Sequence, residues 1–190
     1  IRPMHGSWLE FFVTRGDVLM VRIDRRRKFV ASTFLRAIGL GTNEEILKHF
    51  ADIDTNPDHR YLEATFAKDT TTNETEAVLD LYRKLRPGEP IVLENAQELL
   101  RTMFFDYRRY SLERVGRYKM NKKLGVNVPN SKETWVLTKD DILGGLRYLI
   151  NLTNGKGDVD DIDHLGNRRV RRVGELVATN AFRVGLLRLE

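Results

Sequence analysis

Ser7-Trp8-Leu9-Glu10-Phe11-Phe12-Val13 and Val18-Leu19-Met20-Val21-Arg22-Ile23 are the stretches that decide the fold. Both are rich in aromatic and β-branched residues, and Thr14-Arg15-Gly16-Asp17 stands between them, so the pair predicts an antiparallel β-hairpin. Asp24 and four consecutive cations, Arg25-Arg26-Arg27-Lys28, are expected to close the second strand. Beyond them the hydrophobic period changes from two to between three and four. Residues 29–38 predict a helix stopped at Gly39 or Gly41. Thr42 followed by Glu45 makes a capping box ahead of Ile46, Leu47 and Phe50. Asn56-Pro57-Asp58 is a turn. Val78, Leu79, Leu81, Tyr82 and Leu85 form a helical stripe, ended by Arg86-Pro87-Gly88-Glu89-Pro90. Ala96, Leu99, Leu100, Met103 and Phe104 form another. Thr138 caps a run with Ile142, Leu143, Leu146, Leu149 and Ile150. Leu176, Val177, Ala181, Val184, Leu187 and Leu189 make a last one. Thr70-Thr71-Thr72-Asn73 and residues 127–134 read as loops. The expected class is α+β and mostly helical: a small N-terminal antiparallel hairpin or sheet packed with about six helices.

Composition narrows the function. The 190 residues suffice for one domain with a real core. Hydrophobic and charged fractions of 41% and 31% are ordinary for a globular chain. A net charge of +5 permits a nucleic-acid partner without requiring one. The absence of cysteine excludes a disulfide scaffold and thiolate metal sites. No apolar run reaches the ~18 residues of a membrane span, and no membrane partner is expected. The chain opens on Ile1 and closes in helical rhythm at Leu186-Leu187-Arg188-Leu189-Glu190, from which a piece of a longer polypeptide is expected.

Asp160-Asp161-Ile162-Asp163-His164-Leu165-Gly166-Asn167-Arg168-Arg169 concentrates opposed charge. A calcium loop needs oxygen ligands at its first, third and fifth positions and glycine at its sixth. Counted from Asp158, the fifth position is Ile162 and the sixth is Asp163, so that pattern fails. A zinc or magnesium site from Asp161, Asp163 and His164 stands as one reading. A structural turn, with carboxylates capping the next helix and pairing with Arg168 or Arg169, stands as the other. The run Arg25 to Lys28 is either a solvated strand end or a set of phosphate contacts. Trp8 is either core or an exposed platform beside cations, the arrangement that stacking on an unpaired base requires. No histidine lies in a nucleophile elbow or triad motif, and neither GxxxxGK[ST] nor GxGxxG occurs.

Five motifs in order carry a resemblance across nearly the whole chain. They are Gly6-Ser7-Trp8-Leu9-Glu10-Phe11; Val21-Arg22-Ile23-Asp24-Arg25-Arg26-Arg27-Lys28; Leu85-Arg86-Pro87-Gly88-Glu89-Pro90; Val115-Gly116-Arg117-Tyr118-Lys119; and residues 160–169 with Val173-Gly174-Glu175-Leu176 and Phe182-Arg183-Val184-Gly185-Leu186. Together they resemble the bacterial DNA-directed RNA polymerase β subunit, in its β2 or lobe domain. The resemblance implies that residues 1–190 are that domain, with residues 170–190 starting the helix that leads back toward the β1 or protrusion region. It implies a non-catalytic jaw of the downstream DNA cleft within a nucleotidyltransferase. No cofactor is implied for this piece, because the magnesium of the parent enzyme is held by another subunit.

The implied partners are non-template-strand and downstream duplex DNA, the β′ and α subunits and sigma factor, with room for a transcription factor. The implied location is the cytoplasm, at the bacterial nucleoid. A tryptophan matching Trp8 stacks on the non-template base at the start site. Residues matching Ile162, Asp163 and Arg168 line a pocket for a flipped guanine one step downstream, and Arg25, Arg26 and Arg27 follow the DNA backbone. Asp160 and Asp161 are expected to be structural. His5 and Ala181 depart from the pattern, standing where Arg or Lys and Gln are expected. A stand-alone DNA-binding transcription regulator is the alternative, and behind it a metal-dependent hydrolase.

Overall fold

A computed structural model describes residues 1–25, 27–161, 163–168, 170 and 172–189; of Thr179, Asn180, Arg183 and Leu189 only the backbone is described. The chain divides into two compact units, Ile1–Gly157 and Asp158–Glu190.

The first unit opens with the expected hairpin. Strands β1 (Leu9–Val13) and β2 (Leu19–Ile23) pair antiparallel, with Phe11 opposite Val21. A third strand, β3 (Arg27–Val30), pairs antiparallel with β2 and gives the order β1-β2-β3. The cationic run therefore does not end the sheet. Asp24 and Arg25 make a second tight turn, with φ of 49° and 59°, and Arg27 and Lys28 already belong to β3. Phe29, expected in a helix, is a buried strand residue opposite Val21. Leu9, Leu19, Val21, Ile23 and Phe29 are buried, whereas Glu10, Phe12, Met20 and Arg22, on the alternate face, are only half-buried.

Among the described residues of the first unit, seven α-helices follow. They are α1 (Ala31–Ala37), α2 (Asn43–Phe50), α3 (Tyr61–Lys68), α4 (Glu74–Leu85), α5 (Leu93–Phe104), α6 (Glu113–Leu124) and α7 (Lys139–Thr153). The capping box read at Thr42 forms with Glu45 and begins α2, and the cap read at Thr138 forms too, completed by Asp141 into a capping box that begins α7. Helices α3 and α6 were not expected. α3 buries only Tyr61, Leu62 and Thr65, and α6 buries only Arg117, so neither writes a long apolar stripe. The mostly helical α+β class holds, with more helices than expected.

The core joins the sheet to the helices through Phe34, Phe50, Leu81, Phe104, Tyr110, Ile142 and Leu146, all fully buried. Phe34 and Phe104 meet edge-to-face at 5.8 Å. Gly145 lets α7 approach β1, because a Cβ there would lie 3.1 Å from the Phe11 ring.

Among the described residues, two buried ion pairs brace this unit. Arg117 donates through one Nη to both Asp141 oxygens, at 2.7 and 2.8 Å, with both side chains at 0% exposure. Its Nε donates to the Thr134 carbonyl at 2.8 Å and its other Nη to the Val136 carbonyl. Asp141 also accepts from the Thr138 N–H at 2.8 Å. In the second pair, Arg36 Nε lies 3.3 Å from Asp69. Burial pushes the Asp69 carboxyl up, but hydrogen bonds from Ser32, Thr71 and Thr33 outweigh it and hold it below its ordinary value.

The second unit holds a 3-10 turn (Leu165–Asn167), α8 (Val173–Leu176), a π-helical stretch (Val177–Arg183) and α9 (Val184–Leu189). The last helix expected from the sequence is therefore present, widened in its middle. No helix among the described residues is long and apolar enough to cross a membrane.

Removing one member of a buried, fully bonded ion pair strands the other charge in the core. Asp141→Ala should therefore cost ~3–5 kcal/mol in urea unfolding. Arg114→Ala, on the same α6 as Arg117 but with an exposed side chain, should stay within ~0.5 kcal/mol of the parent.

Candidate nucleic-acid interface

Trp8 stands at the foot of β1, one residue before the strand begins. Gly6 brings the chain there. Its φ of 121° suits glycine, and a Cβ would lie 2.8 Å from the Tyr110 ring and 2.9 Å from the Arg109 carbonyl. The Trp8 backbone is then locked from both sides. Its N–H donates to Asp24 Oδ1 at 2.7 Å, and its carbonyl accepts from the Asp24 N–H at 3.0 Å. Asp24 is suited to this, since Asp is among the residues that best tolerate the left-handed region. The β2–β3 turn thus serves as a clamp on the residue before β1.

The indole is half-buried and not part of the hydrophobic core. Two guanidinium groups lie against it, with Arg2 Cζ 4.1 Å and Arg25 Cζ 4.5 Å from the ring centroid. Both distances are within cation–π range. Arg25 is also 3.8 Å from Glu10, which in turn pairs with Arg22 at 3.3 Å. Arg22 and Lys28 lie 5.0 and 5.6 Å from the Phe12 ring centroid. The structure therefore gathers Trp8 and Arg25 into one aromatic–cationic cluster. Arg27 is exposed and in register with Ile23. Arg26 lies outside the described residues.

The acidic stretch belongs to the second unit and is built as a turn. Asp161 Oδ1 accepts from the Asp163 N–H at 2.9 Å, and the Asp161 carbonyl accepts from the Asn167 side chain at 2.7 Å. His164 Nδ1 accepts from the Gly166 N–H at 3.0 Å and caps the 3-10 turn. Asp161 and His164 are thus spent on the loop's own backbone. Asp163 and Arg168 point outward, with side chains 89% and 62% exposed, and meet at 3.4 Å. A carboxylate and a guanidinium this exposed gain little from each other in water and remain open to a ligand. Ile162 lies outside the described residues. Among the described residues, no three His, Asp or Glu side chains are grouped as a metal site would require.

Two members of the Trp8 cluster were not picked out from the sequence. Asp24 carried a usable signal, an Asp between a β-rich run and a cationic run. Arg2 carried none, since its position beside Trp8 follows the pairing of Ile1 with Leu9, in which the Leu9 N–H donates to the Ile1 carbonyl at 3.1 Å.

A three-stranded meander followed by seven helices, with no catalytic constellation evident in its sequence, defines a mostly helical α+β domain. Residues 2–171 match the family model described as RNA polymerase Rpb2, domain 2, and the chain belongs to that family. It is 50% identical over 190 residues to the DNA-directed RNA polymerase subunit beta of Trichodesmium erythraeum and 51% identical over 188 residues to that of Gloeobacter violaceus. In each case 99% of this chain and 16% of the relative are covered. The subunit beta of Dehalococcoides mccartyi is 46% identical over 189 residues, covering 99% of this chain and 15% of the relative. The chain thus spans about one-sixth of the length of these curated relatives.

Asp24→Ala removes the acceptor for the Trp8 N–H and leaves alanine at φ 49°. The expected cost is ~1–2 kcal/mol in thermal unfolding, together with a change in Trp8 fluorescence as the ring loses its fixed position. Asp24→Asn, which keeps an acceptor and tolerates that φ, should recover most of both.

Proposed function

We propose that this chain is the lobe of a DNA-directed RNA polymerase β subunit. It performs no chemistry, forms one side of the downstream DNA cleft and holds the non-template strand around the start site. Its partners are that DNA and the other polymerase subunits, β′, α and sigma, in the bacterial cytoplasm at the nucleoid. The observation that carries the reading is the Trp8 cluster: a partly exposed indole, locked at its backbone and flanked by guanidinium groups. A flat, fixed ring beside positive charge is what an unpaired base and its phosphate need, and such stacking is worth ~1–3 kcal/mol per base.

The second part of the reading is guanine recognition by the residue 160–169 turn. An outward carboxylate accepts from the N1–H and N2–H₂ of an unpaired guanine together, a donor pair that adenine and the pyrimidines do not offer. Asp163 has that exposure and chemistry, and Arg168 neutralises it while no base is bound. Ile162 supplies an apolar wall in this reading. Arg25, Arg26 and Arg27 contribute positive charge along the backbone path.

In a reconstituted polymerase, Asp163→Ala should erase the preference for guanine at the second transcribed position of the non-template strand, a change of ~5–150-fold. Elongation rate should stay near the parent's. A preference that persists unchanged removes Asp163 from the site, and a collapse of elongation indicates a structural role instead.

A further inference from the structure

We propose that Arg2 is a phosphate-binding residue for the nucleotide whose base stacks on Trp8. The inference rests on the stacking role proposed above for Trp8 and extends the site to a residue outside the motifs that suggested it.

Two guanidinium groups touch the indole, but their charges stand in different situations. Arg25 lies 3.8 Å from Glu10, so part of its charge is answered within the protein. Glu10 is further shared with Arg22. Arg2 is exposed, and among the described residues its guanidinium has a ring contact with Trp8, at 4.1 Å, and no hydrogen bond or ion pair. No carboxylate among the described residues pairs with it. A π-face attracts the cation but takes up none of its five N–H donors. Those donors are left to water, next to the surface on which a base would rest.

Nucleotide geometry makes that position useful. A base stacked on an indole carries its sugar and phosphate to the ring's edge, within reach of a long side chain already held near the ring. A guanidinium matches phosphate with two parallel N–H···O bonds, each strengthened by charge. Arg2 exchanges a weak contact with the ring for a phosphate, and the base takes the freed area of the indole. Arg2 then adds affinity without reading base identity, as phosphate contacts do.

The placement of Arg2 is local. The Leu9 N–H donates to the Ile1 carbonyl at 3.1 Å, which sets the residue 1–2 backbone beside the foot of β1. Arg2→Ala should therefore leave the fold intact.

The test uses this 190-residue chain with Trp135→Phe, which leaves Trp8 as the single indole. The probe is single-stranded oligothymidylate of about eight nucleotides, titrated by fluorescence across a salt series. A parallel series uses the same oligonucleotide with an uncharged methylphosphonate backbone. Trp8 should be quenched by both. Arg2→Ala should weaken binding of the charged strand several-fold at low salt and make its log–log salt slope shallower by ~0.7, the value of one released counterion on a single strand. Binding of the neutral strand should not change, and Arg2→Lys should keep most of the slope. Quenching of the parent with an unaltered slope in Arg2→Ala overturns the role of Arg2 alone. Absence of quenching in the parent overturns the stacking role of Trp8, and the inference with it.

Discussion

The Arg117–Asp141 ion pair is the contact on which the first unit depends. Placing two charges at 0% exposure is unfavourable unless their hydrogen-bonding capacity is met inside. Here it is met by the Thr134 and Val136 carbonyls and the Thr138 N–H. The same bonds tie three pieces of chain together: α6, which carries Arg117, the segment before α7, and the first turn of α7. That segment is held further by the Leu112 N–H donating to the Trp135 carbonyl at 2.7 Å and the Leu137 N–H donating to the Phe104 carbonyl at 3.2 Å. A largely polar helix is thereby fixed to the core through its one fully buried side chain, with Met120 packing beside it.

The influence of that pair reaches the sheet by packing. Asp141 lies in the first turn of α7, and one turn later Gly145 receives the Phe11 ring of β1. Tyr110, whose hydroxyl is pushed up by burial and by nearby Asp141, packs against Gly6 and so guides the chain toward Trp8. The foot of β1 is therefore positioned by α7 and by the Tyr110 ring and the Ser111 bridge to His5, and the β2–β3 turn locks it through Asp24. The foot of a small sheet is thus held in place by the helical body packed against it.

What the sequence revealed follows the same physics. The β1–β2 hairpin, the Thr42 capping box and the Thr138 cap were legible because each is a local pattern with a local cause. Strand β3 was hidden because its first residues, Arg27 and Lys28, are exposed cations, and Phe29 fitted a strand or a helix equally well. Helix α6 was hidden because its buried side chain is an arginine, a residue type expected on a surface. In the residue 160–169 turn the sequence left metal and structural readings open. The hydrogen bonds of Asp161 and His164 assign those two residues to the loop backbone. The position of Arg2 against the indole depends on a backbone contact to β1 and could not be read from the sequence.

The central claim is that Trp8 offers a stacking surface to an unpaired non-template base. The most direct measurement places 2-aminopurine at the first transcribed non-template position and follows its emission as a polymerase carrying this chain melts the promoter. If the claim holds, emission is quenched on opening with the parent chain and stays high with Trp8→Ala, while both open the promoter to the same extent. Equal emission from the two, at equal opening, would contradict it.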